Sequence, residues 1–135
     1  MSLIKTIDLK PLGDERGSLV ALEANEHVPF NIKRVYFIFG TKQGVSRGHH
    51  AHRNLQQVAV CVAGSCRFVL DDGIHQEEII LDSPTKGLVI ENLIWHEMHD
   101  FTPDCVLMVL ASEHYDEQDY IRAYHAFLNE VREQG

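Results

Sequence analysis

Two histidines separated by one residue, His50 and His52, are the side chains whose types and spacing best support chemistry in this sequence. Their segment has the spacing G-x5-H-x-H-x4-Q-x6-G and includes Gly44, Gln57 and Gly64. Side chains alternate between the two faces of a β-strand, so both imidazoles would project into one cavity. Paired imidazoles in a cavity are either metal ligands or proton-transfer groups, and both readings stay open at this point.

Several other polar residues could lie near these histidines. Gln57 would begin the next strand, and His96 stands on a late strand-like run. Arg34 and Tyr36 are two positions apart and would share one face of a strand. Arg47, just before the histidine strand, could contact a diphosphate group or could be a solvated loop arginine.

Composition limits the classes of function. The chain has 135 residues, with 12 basic against 20 acidic side chains and a net charge of −8. No basic stripe favours nucleic acid, although a few focused arginines could still bind a phosphorylated small molecule. No apolar run is long enough to cross a membrane, and the first ten residues lack the apolar core of a secretory signal. The three cysteines predict buried, reduced thiols in a cytosolic protein.

Short strand-like runs separated by turn signals predict an all-β domain. Asp72-Gly73 is a strong hairpin signal between two of them. The regular spacing favours one β-sandwich or jelly-roll barrel spanning residues 1–135. Besides the histidine segment, the predicted strands cover residues 18–23, 32–39, 57–62, 66–70, 75–81, 87–90, 94–99 and 105–111.

The last part of the chain changes to helical periodicity. Apolar residues from Tyr120 to Val131 recur at helical spacing, and Asp116 could cap the start. These features predict one amphipathic helix over about residues 117–133, packed on the barrel exterior. Its tyrosines and phenylalanine are expected to be packing groups.

The histidine segment resembles the first motif of the cupin superfamily, whose fold is a double-stranded β-helix. That motif is G-x5-H-x-H-x3-4-E-x6-G, and this chain has Gln57 at the position of the glutamate. The second motif is represented only by its histidine, His96. A neutral amide is a weaker ligand for a divalent cation than a carboxylate, so the substitution favours a site without metal.

A closer resemblance covers nearly the whole chain. The sequence looks like the dTDP-sugar 3,4-ketoisomerases, small cupins that use no metal or other cofactor and are dimeric where characterised. The strings that carry this resemblance are Asp14-Glu15-Arg16-Gly17-Ser18-Leu19, Lys33-Arg34-Val35-Tyr36, Arg47-Gly48-x-His50-Ala51-His52, Leu70-Asp71-Asp72-Gly73, Trp95-His96-Glu97-Met98-His99-Asp100-Phe101 and Tyr115-Asp116-Glu117-x-Asp119-Tyr120-Ile121-Arg122. One departure is His49, where such relatives commonly have an aromatic residue.

The resemblance implies conversion of dTDP-4-keto-6-deoxyglucose into a 3-keto-6-deoxyhexose, in pathways that supply O-antigen and S-layer glycans. His50 is expected to be the base that moves the proton, and His52 to orient the sugar or donate to it. Arg16 together with His96 favours the galacto-configured product. The residues expected to bind the substrate are Arg16, Arg34, Tyr36, Arg47, Gln57 and His96.

Two alternatives stay open. A metal-dependent cupin oxygenase would use the histidines as ligands, and a non-catalytic cupin would bind the nucleotide sugar without turnover. A homodimer is expected because pairing across a two-fold axis hides unpaired sheet edges. Strand alternation also predicts that His49 and Trp95 point away from the cavity, and that His99 lies on the face opposite His96.

Overall fold

The computed structural model describes residues 2–134 and consists of two five-stranded antiparallel sheets, a small hairpin and one helix. The strands are β1 (Lys5–Asp8), β2 (Leu12–Asp14), β3 (Gly17–Leu19), β4 (Arg34–Ile38), β5 (Arg47–His52), β6 (Gln57–Ala63), β7 (Cys66–Asp71), β8 (Gln76–Leu81), β9 (Lys86–Ile90), β10 (Trp95–His99), β11 (Val106–Ala111) and β12 (Tyr120–Ile121). The first sheet has the order β1-β9-β6-β11-β4, and the second has the order β12-β5-β10-β7-β8.

The main core lies between the two sheets. Phe68 and Leu70 of β7 share one cluster with Leu88 of β9 and Leu107 of β11, and all four side chains are almost fully buried. Their neighbours in β8, such as Glu78, face outward, as expected for a sheet with one solvated face. Burial of the inner rows orients every strand, so it also decides which histidines point inward.

The all-β prediction is confirmed, with one partial exception among the strands. Seven of the predicted runs and the histidine segment form strands within a residue or two of the expected bounds. The run at 18–23 is shorter than predicted, because β3 ends at Leu19 and pairs only with β2 in a hairpin. The N-terminal strand β1 is not among the predicted runs, and it forms one edge of the first sheet by pairing with β9.

The predicted start of the C-terminal helix is wrong. The helix α1 covers Tyr124–Gln134, whereas Asp116 caps only a short 3-10 turn over Glu117–Asp119. Between them, β12 pairs with β5 and places Tyr120 opposite His52. Backbone pairing at an open sheet edge outweighs the helical spacing of the apolar residues here.

The helix nevertheless packs on the exterior of the second sheet, as predicted. Phe127 is fully buried in a cluster with Ala51, Trp95 and Ile121. The indole of Trp95 lies 5.2 Å from the ring of Tyr124 and 5.8 Å from that of Phe127, centroid to centroid. Trp95 therefore points away from the sheet interior, as strand alternation predicts.

Two further expectations concern the chain as a whole. The three cysteine residues are free thiols, and all are buried. Among residues 2–134, no helix is long and apolar enough to span a bilayer.

Candidate active site

An irregularity between β5 and β10 brings the candidate histidines close together. Gly48 and His49 both have left-handed backbone angles, with φ of 85° and 59°, and the pairing register shifts between His96 and Glu97. A Cβ atom at position 48 would lie 2.9 Å from the carbonyl oxygen of His96. Only glycine suits this backbone and this close approach, so the bulge depends on Gly48.

Three histidines converge on the interior side of these strands. His50 lies opposite His96 in the register of β5 and β10. The ring centroid of His50 is 4.7 Å from that of His96 and 4.9 Å from that of His52, and the centroids of His52 and His96 are 5.9 Å apart. The structure thus brings together the two residues predicted to be catalytic and one predicted to bind substrate.

Backbone carbonyls fix the tautomers of His50 and His96. Nδ1 of His50 lies 3.0 Å from the carbonyl oxygen of Gly48, and Nδ1 of His96 lies 3.2 Å from that of Ile94. A carbonyl oxygen can only accept, so each Nδ1 carries the hydrogen and donates it. Each neutral ring therefore keeps an unprotonated Nε2 with a free lone pair, which is the form that a general base requires.

His52 has no such anchor. Its side chain is 3% exposed, and neither ring nitrogen has a hydrogen-bond partner among the described residues. Nδ1 lies 3.3 Å from Oδ2 of Asp119, a contact without hydrogen-bond alignment. Buried polar atoms without partners cost free energy, so this imidazole is available to a bound molecule.

All three imidazoles are neutral at ordinary pH. Burial lowers the pKa of His50 to about 4, partly opposed by its hydrogen bond to Gly48. Burial, together with the neighbouring His50, lowers the pKa of His52 to about 3. Burial and the two neighbouring imidazoles likewise lower the pKa of His96. Removing water penalises the imidazolium form, and three adjacent rings penalise it further.

Tyr36 and Gln57 form a hydrogen-bonded pair near these histidines. The Gln57 amide Nε2 donates to the hydroxyl oxygen of Tyr36 over 2.9 Å. Burial, with the nearby Tyr120, raises the pKa of Tyr36 to about 12. The phenol therefore stays protonated, and its O–H remains free to donate to a bound oxygen.

Arg34 lies on the same face of β4 as Tyr36, as predicted. Its guanidinium carbon is 5.2 Å from the ring centroid of Tyr36 and 5.7 Å from that of Tyr115. Its buried Nε has no hydrogen-bond partner among residues 2–134. Arg34 and His52 both line a cleft of about 660 Å³, so the guanidinium places one positive charge in the same cleft as that histidine.

Tyr120 lies against the histidine cluster, although its helical spacing in the sequence predicts a packing role. Its ring centroid lies 4.3 Å from that of His52 and 5.0 Å from that of His50. The guanidinium carbon of Arg122 lies over the ring of Tyr120, 4.2 Å from its centroid. The helical spacing concealed this role, because β12 rather than α1 carries Tyr120.

Two of the predicted substrate-binding residues lie on the surface. Arg16 is 86% exposed on the hairpin between β2 and β3, and its hydrogen bonds go to Asp14. Arg47 is also exposed at the start of β5, although its charge lowers the pKa of Tyr36 slightly. Hence this chain alone does not bring Arg16 into contact with the histidine cluster.

The histidine cluster also has the geometry of a metal centre. The donor atoms of His50, His52 and His96 lie within 4.8 Å of one another, and three-histidine zinc sites occur in proteins. Gln57 is the remaining candidate ligand, and its amide nitrogen is engaged with Tyr36. The residues fit a divalent ion by position but supply no negative charge, so a metal-free reaction stays a prediction.

Two antiparallel sheets with histidines from adjacent strands converging on the interior define a cupin-type protein. The chain belongs to the family described as "FdtA: WxcM-like, C-terminal", whose sequence profile matches residues 2–132.

Named relatives are similar over almost the whole length. The TDP-4-oxo-6-deoxy-alpha-D-glucose-3,4-oxoisomerase of Aneurinibacillus thermoaerophilus is 59% identical over 123 residues, which are 91% of this chain and 88% of the relative. QdtA, a sugar 3,4-ketoisomerase from Thermoanaerobacterium thermosaccharolyticum solved with TDP, is 42% identical with a TM-score of 0.94, over 97% and 96% of the two chains. WlaRB, a TDP-quinovose 3,4-ketoisomerase from Campylobacter jejuni, is 47% identical with a TM-score of 0.91, over 96% and 99%.

Proposed function

We propose that this protein is a TDP-sugar 3,4-ketoisomerase that converts TDP-4-keto-6-deoxyglucose into the 3-keto isomer. The observation that carries the proposal is the neutral His50, whose Nδ1 donates to Gly48 and whose Nε2 is left as a base. The similarity to named oxoisomerases and ketoisomerases supplies the substrate class. QdtA has also been solved with TDP-4-keto-6-deoxyglucose as a variant carrying asparagine in place of a histidine.

The first step removes the proton on C3, which is acidic because C3 lies next to the C4 ketone. His50 Nε2 takes this proton, while the electron pair of the C3–H bond forms the C3–C4 double bond. The C4 oxygen gains a proton from a neighbouring donor, which yields an enediol. General base catalysis of this kind contributes on the order of 10²–10⁴-fold.

The second step reverses these roles at the adjacent carbon. The imidazolium of His50 returns its proton to C4, and the oxygen on C3 becomes the new ketone by giving its proton back to the group that donated one in the first step. The Tyr36 hydroxyl and the Arg34 guanidinium lie where they could stabilise charge on the two oxygens, and His52 has free nitrogens to orient them. Preorganised donors of this type lower the barrier because they need no rearrangement during the reaction.

The product that we propose has the galacto configuration at C4. This assignment rests on the presence of both Arg16 and His96, which resembles the galacto-forming branch of the family. A variant of QdtA, solved with TDP, carries an arginine in place of a tyrosine and a histidine in place of an arginine. The relatives include proteins named as a TDP-quinovose and a TDP-fucose 3,4-ketoisomerase.

Product analysis tests both the reaction and its stereochemistry. We expect TDP-4-keto-6-deoxyglucose incubated with the purified protein to give a new TDP-linked 3-ketosugar, with the galacto arrangement at C4 in its NMR coupling constants. A gluco product would keep the isomerase proposal and reject the assignment from Arg16 and His96. Unchanged substrate that is nevertheless bound would support a non-catalytic binding protein instead.

A metal-dependent oxygenase is the second candidate, because three imidazole donors lie within 4.8 Å of one another. Such an enzyme would contain close to one ion per chain, and chelation would remove its activity. Elemental analysis of the protein before and after chelation separates the two functions. Isomerisation that survives complete removal of metal excludes the oxygenase reading.

We further propose that the working enzyme is a homodimer in which Arg16 reaches the partner's histidine cluster. Arg16 projects from a hairpin that forms its own two-stranded sheet. The edge strand β4 also exposes Val35 and Phe37 by 53% and 61%, and Phe39, just after the strand, is 67% exposed. An exposed apolar row on a strand edge is typical of a protein interface.

Coexpression of two inactive chains tests this arrangement. We expect Arg16→Ala and His50→Asn each to be inactive alone. The coexpressed mixture should recover up to about a quarter of the parent activity, because half of the dimers are mixed and each mixed dimer has one intact site of its two. If Arg16 acts within its own chain, mixing restores nothing. Gel filtration of the parent provides the independent measurement of the dimer.

A further inference from the structure

A second cluster of metal-ligating side chains lies on the outer face of the strands that carry the catalytic histidines. It consists of His49 of β5 with Glu97 and His99 of β10, referred to below as the outer triad. The side chains of Glu97 and His99 are 25% exposed and that of His49 is 46% exposed, so solvent reaches them. The outer triad is thus separate from the buried histidines on the opposite face, as strand alternation predicted for His49 and His99.

The donor atoms of the outer triad have separations suited to a small divalent ion. Nε2 of His99 lies 2.9 Å from Oε1 of Glu97, and Nδ1 of His49 lies 3.6 Å from Oε2 of the same carboxylate. All three residues offer donors within 4.8 Å of one another. A tetrahedral zinc ion with bonds of about 2.0–2.2 Å holds its ligands roughly 3.3–3.6 Å apart. Only small side-chain movements separate the observed positions from that geometry.

Hydrogen bonds outside the outer triad already orient its members. Nε2 of His49 is 2.9 Å from the Ser46 hydroxyl, which can hold the tautomer whose Nδ1 lone pair faces Glu97. The indole N–H of Trp95 donates to Oε2 of Glu97 over 2.9 Å. Metal ligands in proteins are usually held in this way by neighbouring donors and acceptors, which fix ring orientation and raise affinity.

The backbone provides a further sign that the position of His49 is imposed by its surroundings. His49 has a φ of 59°, which is uncommon for a residue other than glycine, and it stands in the bulge beside Gly48. The bulge thereby sets His49 against β10 on one face while His50 lies against His96 on the other. Unusual backbone angles that the surrounding structure maintains are concentrated at binding sites.

We propose that the outer triad binds one divalent cation of the zinc type, with two imidazole nitrogens, one carboxylate oxygen and a water molecule as ligands. The ion replaces the hydrogen on Nε2 of His99, and that hydrogen moves to Nδ1, so the ring stays neutral. Two neutral rings and one carboxylate leave the occupied site with a single positive charge, which the open solvent side can hydrate. The bound ion joins β5 to β10 at the bulge and is expected to raise the melting temperature.

Cobalt(II) titration of the metal-free protein tests the proposal without any use of substrate. Tetrahedral cobalt with mixed nitrogen and oxygen ligands gives visible absorption that zinc displaces. We expect the parent to bind one equivalent, and His99→Asn and Glu97→Gln to bind at least about tenfold more weakly. His75→Asn is the matched control, since His75 is a 72% exposed histidine facing Asp72 at 3.9 Å.

A third type of variant separates the outer triad from the buried histidines. His96→Asn removes one donor of the buried cluster and should leave cobalt binding and its absorption unchanged. Loss of binding in His96→Asn with retention in His99→Asn would place the ion in the buried cluster and overturn the proposal. Absence of binding by the parent would overturn it equally. Circular dichroism and melting of each metal-free variant confirm that the fold is retained.

Discussion

Replacing His50 by asparagine is expected to reduce isomerisation by about 10²–10⁴-fold, the usual contribution of a general base. The substrate should still bind, because asparagine keeps a polar group of similar position and the remaining site residues are unchanged. Isomerisation falls because the imidazole Nε2 is lost, and the amide of asparagine cannot accept a proton from carbon. Turnover by NMR and substrate affinity by calorimetry measure the two effects separately.

A surface histidine provides the control for this substitution. His125→Asn changes an exposed residue of α1 and should leave both turnover and affinity unchanged. If His50→Asn keeps most of its turnover, another group is the base, and His52 becomes the first candidate because its nitrogens are free. Exchange of the C3 proton with deuterated solvent should be lost together with turnover.

As the pH is lowered, this protein is expected to lose stability already at pH values well above those at which carboxylates titrate. Burial lowers the pKa of His52 and His96 below 6.5, that of His52 to about 3. Below pH 6.5 the unfolded chain therefore binds protons at these residues that the folded chain does not. The contribution of these residues to the free energy of unfolding is complete well above that pH. It decreases as the pH falls toward the pKa values that the two histidines have in the folded chain. Once the pH is about one unit below 6.5, the two residues together contribute a slope of about 2–3 kcal/mol per pH unit.

Urea unfolding between pH 5 and 7 measures this slope before most carboxylates begin to take up protons. His52→Gln should flatten the slope by the equivalent of one proton, whatever its effect on stability at pH 7. His75→Gln should leave the slope unchanged, because His75 is largely exposed. A parent whose stability is constant over this range would show that the buried imidazoles are hydrated and able to charge in the folded state.

Local patterns were sufficient to predict most of the fold. Alternation and turn signals located the strands, since inner rows of a two-sheet protein must be apolar and turns need special residues. The same alternation correctly placed His50 and His52 inward and Trp95 outward. These properties depend on residues that are close together in the sequence, so a single sequence is enough to predict them.

Features that depend on distant pairing were not predictable in this way. Tyr120 was assigned to a helix because its apolar neighbours have helical spacing, yet it pairs with His52 and contacts the site. That outcome requires knowing that the edge of β5 is open, which no local pattern reports. Arg16 was grouped with the site by resemblance, and its own chain leaves it on an exposed hairpin.

The carbonyl anchors of His50 and His96 have a consequence for how this site tolerates sequence change. Main-chain oxygens of Gly48 and Ile94 hold the two rings, and no substitution of a side chain can delete a main-chain oxygen. The backbone path therefore determines which ring nitrogen carries the hydrogen in each of the two imidazoles. Substitutions around the sugar can therefore leave both tautomers unchanged, as long as Gly48 maintains the bulge that directs the backbone.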